Sequence, residues 1–280
     1  MNLVLQGDPA GGAISRDELT QLVALTQANH VIDLGPGAWR LSNARDDRSI
    51  EAFCAQRGLD FAWVPDERRL TDMRLVALDM DSTLITIECI DEIGDLLGIK
   101  EKVAAITAAA MRGELDYPES LRRRVALLAG LEESGLERVL EDRLELSPGA
   151  ERLVARCHEL GLRTLLVSGG FSFFTDWLKA RLGIDEALSN QLEIAGGRLT
   201  GRVIGKIVDG EAKAVRFVRT MRAIGAAREQ TVAVGDGAND LPMMAQAGVS
   251  VAYRAKPPVR EQATHAIDHA GLDGVLNLFL

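Results

Sequence analysis

Asp79-Met80-Asp81-Ser82-Thr83 follows directly on the apolar run Leu75-Val76-Ala77-Leu78. Side chains alternate along an extended chain, so Asp79 and Asp81 fall on the same side. One carboxylate can then act as a nucleophile and the other as an acid or base. Two acids that close are costly together unless one holds a proton or a cation neutralises them. A hard divalent cation held by oxygen, such as Mg2+ beside a phosphate, meets that need.

Two further strand ends carry chemistry. Thr231-Val232-Ala233-Val234 reads as a buried strand and runs into Gly235-Asp236-Gly237-Ala238-Asn239-Asp240. Thr164-Leu165-Leu166-Val167 runs into Ser168-Gly169-Gly170-Phe171, where a hydroxyl and exposed backbone N–H groups open a helix and suit a phosphate. In an open α/β sheet, ligands bind beyond the carboxyl ends of the strands, so the three clusters are expected to converge. Lys213, ahead of the last strand, offers a point positive charge, with Lys206 as its nearest competitor in sequence. A calcium-binding EF-hand loop is excluded. Counting from Asp79, the glycine position holds Leu84 and the closing glutamate position Ile90; counting from Asp236, the closing position holds Ala247. The chain also lacks the Gly-x-x-x-x-Gly-Lys-Ser/Thr phosphate loop and the Gly-x-Ser-x-Gly nucleophile elbow.

The elements around these residues are legible. Residues 1–70 read as strand, helix, two strands, helix, strand: Met1–Leu5, a helix capped by Ser15-Arg16-Asp17-Glu18, a hairpin from His30–Leu34 to Ala38–Leu41, a helix over Ile50–Arg57, and Leu59–Val64. That order predicts a small α+β ferredoxin-like module. Pro65 and the charged stretch after it mark a linker, and a second domain is expected over residues 71–280. Residues 91–142 have helical periodicity, with a capping box expected at Ser134-Gly135-Leu136-Glu137, and predict a helical cap over about residues 88–145. Ser147-Pro148 reads as the start of the next helix, with Ser147 as its cap. Strand–helix alternation from there on predicts a doubly wound parallel sheet, with Glu193–Val203 as an inserted hairpin.

The order Asp79-x-Asp81-Ser82-Thr83, Val167-Ser168-Gly169-Gly170-Phe171, Lys213, Val234-Gly235-Asp236-Gly237-Ala238-Asn239-Asp240 resembles the haloacid dehalogenase superfamily of phosphatases, over about residues 72–280. Glu88, Asp91-Glu92-Ile93, Gly113-Glu114-Leu115-Asp116-Tyr117 and Ser120-Leu121-Arg122-Arg123-Arg124-Val125 narrow the resemblance to members acting on O-phospho-L-serine. The resemblance implies Mg2+-dependent hydrolysis to L-serine and phosphate through an aspartyl-phosphate, the last step of L-serine biosynthesis. By resemblance, Asp79 is the nucleophile and Asp81 the acid and base. The metal is held by Asp79, Asp236 and the backbone carbonyl of Asp81, with Asn239 and Asp240 arranged around metal or phosphate. Ser168, Gly169 and Lys213 take the phosphoryl group. Glu88 and Arg124 read the substrate's ammonium and carboxylate, with Met111 and Tyr117 on the cap side of the pocket. Consecutive Arg122, Arg123 and Arg124 would ordinarily be an exposed helix face, so the choice of Arg124 rests on its place before Val125. The alternatives are another small phosphate, transfer to an alcohol such as homoserine, or an amino-acid sensor with a vestigial site.

Composition closes off other classes. The chain has 280 residues, 47% hydrophobic and only 4% aromatic, so aliphatic side chains fill the core. A net charge of −9 disfavours a general grip on nucleic acid. Cys54, Cys89 and Cys157 show neither metal spacing nor a disulfide framework, and His265 and His269 have no third ligand nearby. With no membrane-spanning stretch and no leader pattern, a cytoplasmic enzyme is expected. The N-terminal module is expected to serve dimerisation or packing, with amino-acid sensing as the alternative raised by resemblance.

Overall fold

The four residues Leu75–Leu78 form the centre of the larger sheet because both faces of that strand are apolar. Val76 and Leu78 pack into one cluster and Leu75 and Ala77 into another, all at most 1% exposed. Continuous apolar runs of this kind belong to parallel strands covered by helices on both sides. A computed structural model describes residues 1–8 and 14–280.

In the N-terminal part, strands β1 (Asn2–Gly7), β2 (His30–Gly35), β3 (Ala38–Ser42) and β4 (Leu59–Val64) pair in the order β2-β3-β1-β4, every neighbour antiparallel. Helices α1 (Arg16–Thr26) and α2 (Ser49–Arg57) complete the ferredoxin-like arrangement. The capping box at Ser15 forms as expected, with the hydroxyl and Glu18 each bonded to the other's backbone N–H. One face of this sheet joins Leu22, Ile50 and Cys54 of the helices. The other face, through Val4, Ala62 and Val64, merges with the core containing Ile267, Leu272 and Leu278.

The larger sheet has the order β11-β10-β9-β5-β6-β7-β8. Its strands are β5 (Leu75–Leu78), β6 (Arg163–Phe171), β7 (Glu186–Ala195), β8 (Arg198–Ile204), β9 (Thr231–Gly235), β10 (Val249–Tyr253) and β11 (His265–Ile267). All neighbours are parallel except the β7–β8 hairpin. The cap between β5 and β6 consists of α3 (Cys89–Leu96), α4 (Lys100–Met111), α5 (Tyr117–Ala126) and α6 (Ser134–Asp142). It is tied to the hairpin by Gly130 N–H to the Leu199 carbonyl and Leu199 N–H to the Leu131 carbonyl, both 2.8 Å. Helices α7 (Ala150–Glu159), α8 (Ser172–Leu182) and α9 (Gly210–Ala223) cover the sheet. Among the described residues no helix is long and apolar enough to cross a membrane.

Two local expectations are corrected. Ser147 does not cap α7; Gly149 does, at φ 81°. The turn is held instead from the far end of the chain, where Leu272 N–H donates to the Pro148 carbonyl at 2.6 Å. A Cβ on Gly149 would lie 2.0 Å from Asp273 Oδ1, so the close approach and the positive φ both require glycine. Ser134 likewise is not a cap: α6 begins at Ser134 itself, with Glu133 before it and no side-chain bond.

The N-terminal sheet is locked to the larger domain by polar contacts as well. The Asp60 carboxylate, almost fully buried on β4, accepts N–H bonds from Asp268 (2.7 Å), His269 (3.1 Å) and Ala270 (2.8 Å). Burial pushes its pKa up, and the three N–H donors only partly offset this. Asp60→Ala orphans those donors in a dry interface and is expected to lower stability by about 3 kcal/mol, with a smaller loss for Asp60→Asn, which keeps one acceptor oxygen. Urea denaturation of the three proteins measures this; equal stability would mean that water satisfies the exposed N–H groups.

Candidate active site

Asp79, Ser168 and Asp236 stand just beyond β5, near the end of β6 and just beyond β9, three neighbouring strands at the point where strand order reverses. Asp79 is 4% exposed. Its Oδ1 accepts both Met80 N–H and Lys213 Nζ at 2.8 Å, which leaves Oδ2 free of these bonds. Lys213 comes from the first turn of α9, whose start is capped by the Asp209 carboxylate. Its Nζ also donates to Asp240 Oδ1 at 2.7 Å, and Asp240 Oδ2 accepts Gly237 N–H at 3.0 Å. Lys213 and Asp240 are fully buried. Burial alone would lower the lysine pKa, but Asp240 and Asp79 more than reverse this and hold Lys213 charged. The sequence competitor Lys206 is exposed and takes no part.

Asp81 is held differently. Its Oδ1 accepts Cys89 N–H at 2.8 Å and its Oδ2 faces Ser168 Oγ at 3.3 Å. Burial raises its pKa, which suits a group that must carry a proton. Ser168 Oγ in turn accepts Gly170 N–H at 2.8 Å, and a Cβ on Gly170 would come within 2.6 Å of Asp81 Oδ2. The neighbouring glycine is forced by the cap: a Cβ on Gly169 would sit 2.1 Å from Tyr117 Oη. Tyr117 donates to the Gly169 carbonyl at 3.0 Å, and Asn190 Nδ2 donates to the same carbonyl at 2.8 Å. Asn190 was missed in the sequence because it lies in a strand with no motif around it. It is buried, and its Oδ1 accepts Val208 N–H at 2.8 Å, fixing the loop that leads to α9 and Lys213.

Asp79, Asp236 and Asp240 each present an oxygen within 4.8 Å of the others, an all-oxygen donor set suited to a hard divalent cation. Both Asp240 oxygens are already engaged, by Lys213 and by Gly237, so Asp240 supports the cluster while Asp79 and Asp236 offer free oxygen. Burial, then the Asp240 charge, pushes Asp236 up to about 6, as expected of crowded carboxylates without a counterion. The Asp81 carboxylate stands outside this cluster, its two oxygens facing Cys89 N–H and Ser168 Oγ.

A cavity of about 940 Å³ joins this floor to the cap, lined by Asp79, Asp81 and Asn239 below and by Glu88, Met111 and Arg124 above. Burial, then the Asp81 carboxylate, pushes Glu88 up to about 8. The arginine run on α5 resolves clearly. Arg122 and Arg123 point outward and pair with Glu119, whereas Arg124 is half-buried and its Nε is buried without a partner. Met111 sits at the exposed rim.

A buried carboxylate at a strand end, a lysine locked between two aspartates and a helical cap are the arrangement of a phosphoryl-transfer hydrolase. Residues 76–245 match the haloacid dehalogenase-like hydrolase family, and the chain belongs to it; members generally use a divalent metal. The phosphoserine phosphatase of Polaromonas sp. is 56% identical over 215 residues, 75% of this chain and 91% of the relative. A crystal structure of a probable phosphoserine phosphatase from Vibrio cholerae superposes with a TM-score of 0.86 at 40% identity, covering 99% of this chain and 85% of that one. That superposition takes in the N-terminal sheet. A phospho-aspartyl intermediate analogue of phosphoserine phosphatase gives a TM-score of 0.70 at 38% identity, over 74% of this chain and 99% of that one.

The Tyr117–Gly169 contact generates a test. Gly169→Ala is expected to cost about 2 kcal/mol by overpacking. Adding Tyr117→Phe should recover most of that loss, because the nearest remaining ring atom, Cζ, lies 3.1 Å from the new Cβ. Thermal unfolding of both single variants and the double variant decides it: additive losses would mean the two groups do not compete for the same space.

Proposed function

We propose that the chain hydrolyses O-phospho-L-serine to L-serine and phosphate, with Mg2+ as its cation. The observation that carries this reading is a single cavity lined by Asp79 as nucleophile, Glu88 as a carboxylate for an ammonium and Arg124, whose Nε has no partner, for a carboxylate. The activity of the relatives supports it.

Asp79 Oδ2 attacks phosphorus in line, forming the aspartyl-phosphate as the bond to the seryl oxygen breaks. Asp81 gives its proton to that oxygen. Asp81 then takes a proton from water, whose oxygen attacks phosphorus and releases Asp79. Lys213 fixes the attacking carboxylate through Oδ1 and places a buried positive charge beside it. Mg2+, held by Asp79, Asp236 and the backbone carbonyl of Asp81, would neutralise charge on the phosphoryl oxygens. Ser168, the Gly169 N–H and Asn239 complete the phosphoryl cradle. Glu88 and Arg124 select a small zwitterion, because a substrate lacking either group leaves a dry charge unpaired. Residues 1–70 act as a packing module: the sheet face not covered by helices is occupied by the C-terminal part of the chain.

The direct test is phosphate release from L-phosphoserine, phosphothreonine and p-nitrophenyl phosphate, with Mg2+ and with EDTA. Release that needs Mg2+ and strongly favours phosphoserine is expected. Phosphate appearing on an added alcohol such as homoserine would make the chain a transferase. Asp79→Asn should abolish turnover while leaving the unfolding temperature near wild type.

Arg124→Ala is expected to raise KM for L-phosphoserine by about tenfold to a hundredfold, the scale of a lost charge-assisted pair. With p-nitrophenyl phosphate, which has no carboxylate, KM should stay within about twofold. Equal effects on both substrates would move carboxylate recognition to another residue.

A further inference from the structure

Between Asp81 and Cys89 the chain turns back and closes on itself. Ser82 N–H donates to the Ile87 carbonyl at 3.2 Å, Ser82 Oγ donates to Glu88 Oε1 at 2.9 Å, and Cys89 N–H donates to Asp81 Oδ1 at 2.8 Å. The middle of this loop is anchored independently. Leu84 and Ile85 are fully buried, Ile85 N–H donates to the Met80 carbonyl at 3.0 Å, and Ser147 N–H donates to the Leu84 carbonyl at 3.0 Å. Ser82 takes φ 56°, ψ 2°, a left-handed conformation that costs an L-residue about 1 kcal/mol. Glycine would adopt that conformation freely, so what the serine adds is its hydroxyl, and the hydroxyl reaches Glu88.

We propose that this loop is a clasp through which recognition of the substrate's ammonium group at Glu88 sets the orientation of the Asp81 carboxyl, with Ser82 and the backbone N–H of Cys89 as the positioning groups. The inference rests on the reading of Glu88 as ammonium partner and Asp81 as acid and base. Glu88 immediately precedes α3, and Cys89 is its first residue, so the carboxylate that meets the ammonium and the N–H that holds Asp81 belong to consecutive residues. Ser82 ties the other end, joining Glu88 to the residue beside Asp81. A cation on Glu88 pins both ends of the loop, and Asp81 Oδ2 is thereby held toward Ser168 and the cavity. The ammonium group then contributes to the chemical step and not only to binding.

The prediction concerns kcat for L-phosphoserine relative to its des-amino analogue, the phosphate ester of hydroxypropanoate. The wild type should turn over phosphoserine at least about tenfold faster in kcat, and the ratio should fall to within about threefold in Ser82→Ala and in Cys89→Pro. Proline at Cys89 removes the donor and also replaces a buried side chain, for which Cys89→Ala is the control; the first helical position tolerates proline, and Glu88 already has the extended conformation, φ −98° and ψ 104°, that precedes it. Cys89→Ala keeps the N–H and should keep the wild-type ratio. Thermal unfolding monitors the fold, and Ser82→Ala carries the test should Cys89→Pro fail to fold. An unchanged ratio in the clasp variants, or an equal loss with both substrates, overturns the coupling while leaving the phosphoserine reading intact. A wild type with equal kcat for both substrates overturns the coupling, and equal KM as well overturns the ammonium reading itself.

Discussion

The fully buried Lys213, shared between Asp79 and Asp240, is the interaction on which the rest of the site depends. Removing a lysine from water costs several kcal/mol unless its charge is met at once. Here two carboxylates meet it, at 2.8 and 2.7 Å. The pairing fixes where α9 begins against the sheet, since Lys213 lies in its first turn, and it engages one of the two Asp79 carboxylate oxygens, Oδ1. It also leaves the site short of positive charge. Asp79, Asp81, Asp236 and Asp240 face one lysine, and a phosphate ester would add more negative charge. Burial pushes the carboxyl pKa values of Asp79, Asp81 and Asp236 up, and at Asp79 and Asp236 the neighbouring Asp240 charge adds to it. A divalent cation would relieve this crowding, and the oxygens of Asp79 and Asp236 are placed to hold one.

The cap answers a different constraint. A site this charged works best dry, since water would screen the interactions that stabilise the moving phosphoryl group. Cap and sheet meet where the Gly169 carbonyl receives Tyr117 from above and Asn190 from the side. Absence of a Cβ at Gly169 permits that approach. Asn190 then carries the same restraint to Val208 and on to the helix of Lys213. Cap position and lysine position share one small hydrogen-bonded junction.

Much of this was legible in the sequence because strand-end motifs are local. The Asp79-x-Asp81 pair, Ser168-Gly169 and Asp236 each follow an apolar run that could only be a buried strand, and the doubly wound order then brings them together. Within the arginine run, composition and periodicity left the three residues alike and only the resemblance singled out Arg124, which is half-buried while Glu119 pairs with its exposed neighbours. The failures were of another kind. Ser147 and Ser134 look like caps by type and spacing, but whether a serine caps depends on φ and ψ set by tertiary contacts. At Ser147 the turn is held by Leu272, more than a hundred residues away. Asn190 gave no signal because its partners, Gly169 and Val208, are distant in sequence and are backbone groups.

The N-terminal sheet shows how far such distant restraints extend. Its contact with the larger domain includes apolar packing, but register comes from polar groups: Asp60 on the backbone of residues 268–270, Asn277 donating to Gln6, and Arg40 donating to the carbonyls of Asn277 and Phe279. Arg40 is the costly member. It is buried and its Nε lacks a partner, and burial lowers its pKa. Carbonyl oxygens stabilise it less than a carboxylate would. A purely apolar contact would hold the sheet at lower cost but would allow it to slide, since dispersion has no direction. Directed bonds to main-chain atoms of the C-terminal segment remove that freedom. They tie β1, β3 and β4 to the segment that packs beside β11 and α7, at the periphery of the parallel sheet and away from the cap. Among the described residues, none from the N-terminal sheet lines the cavity beneath the cap.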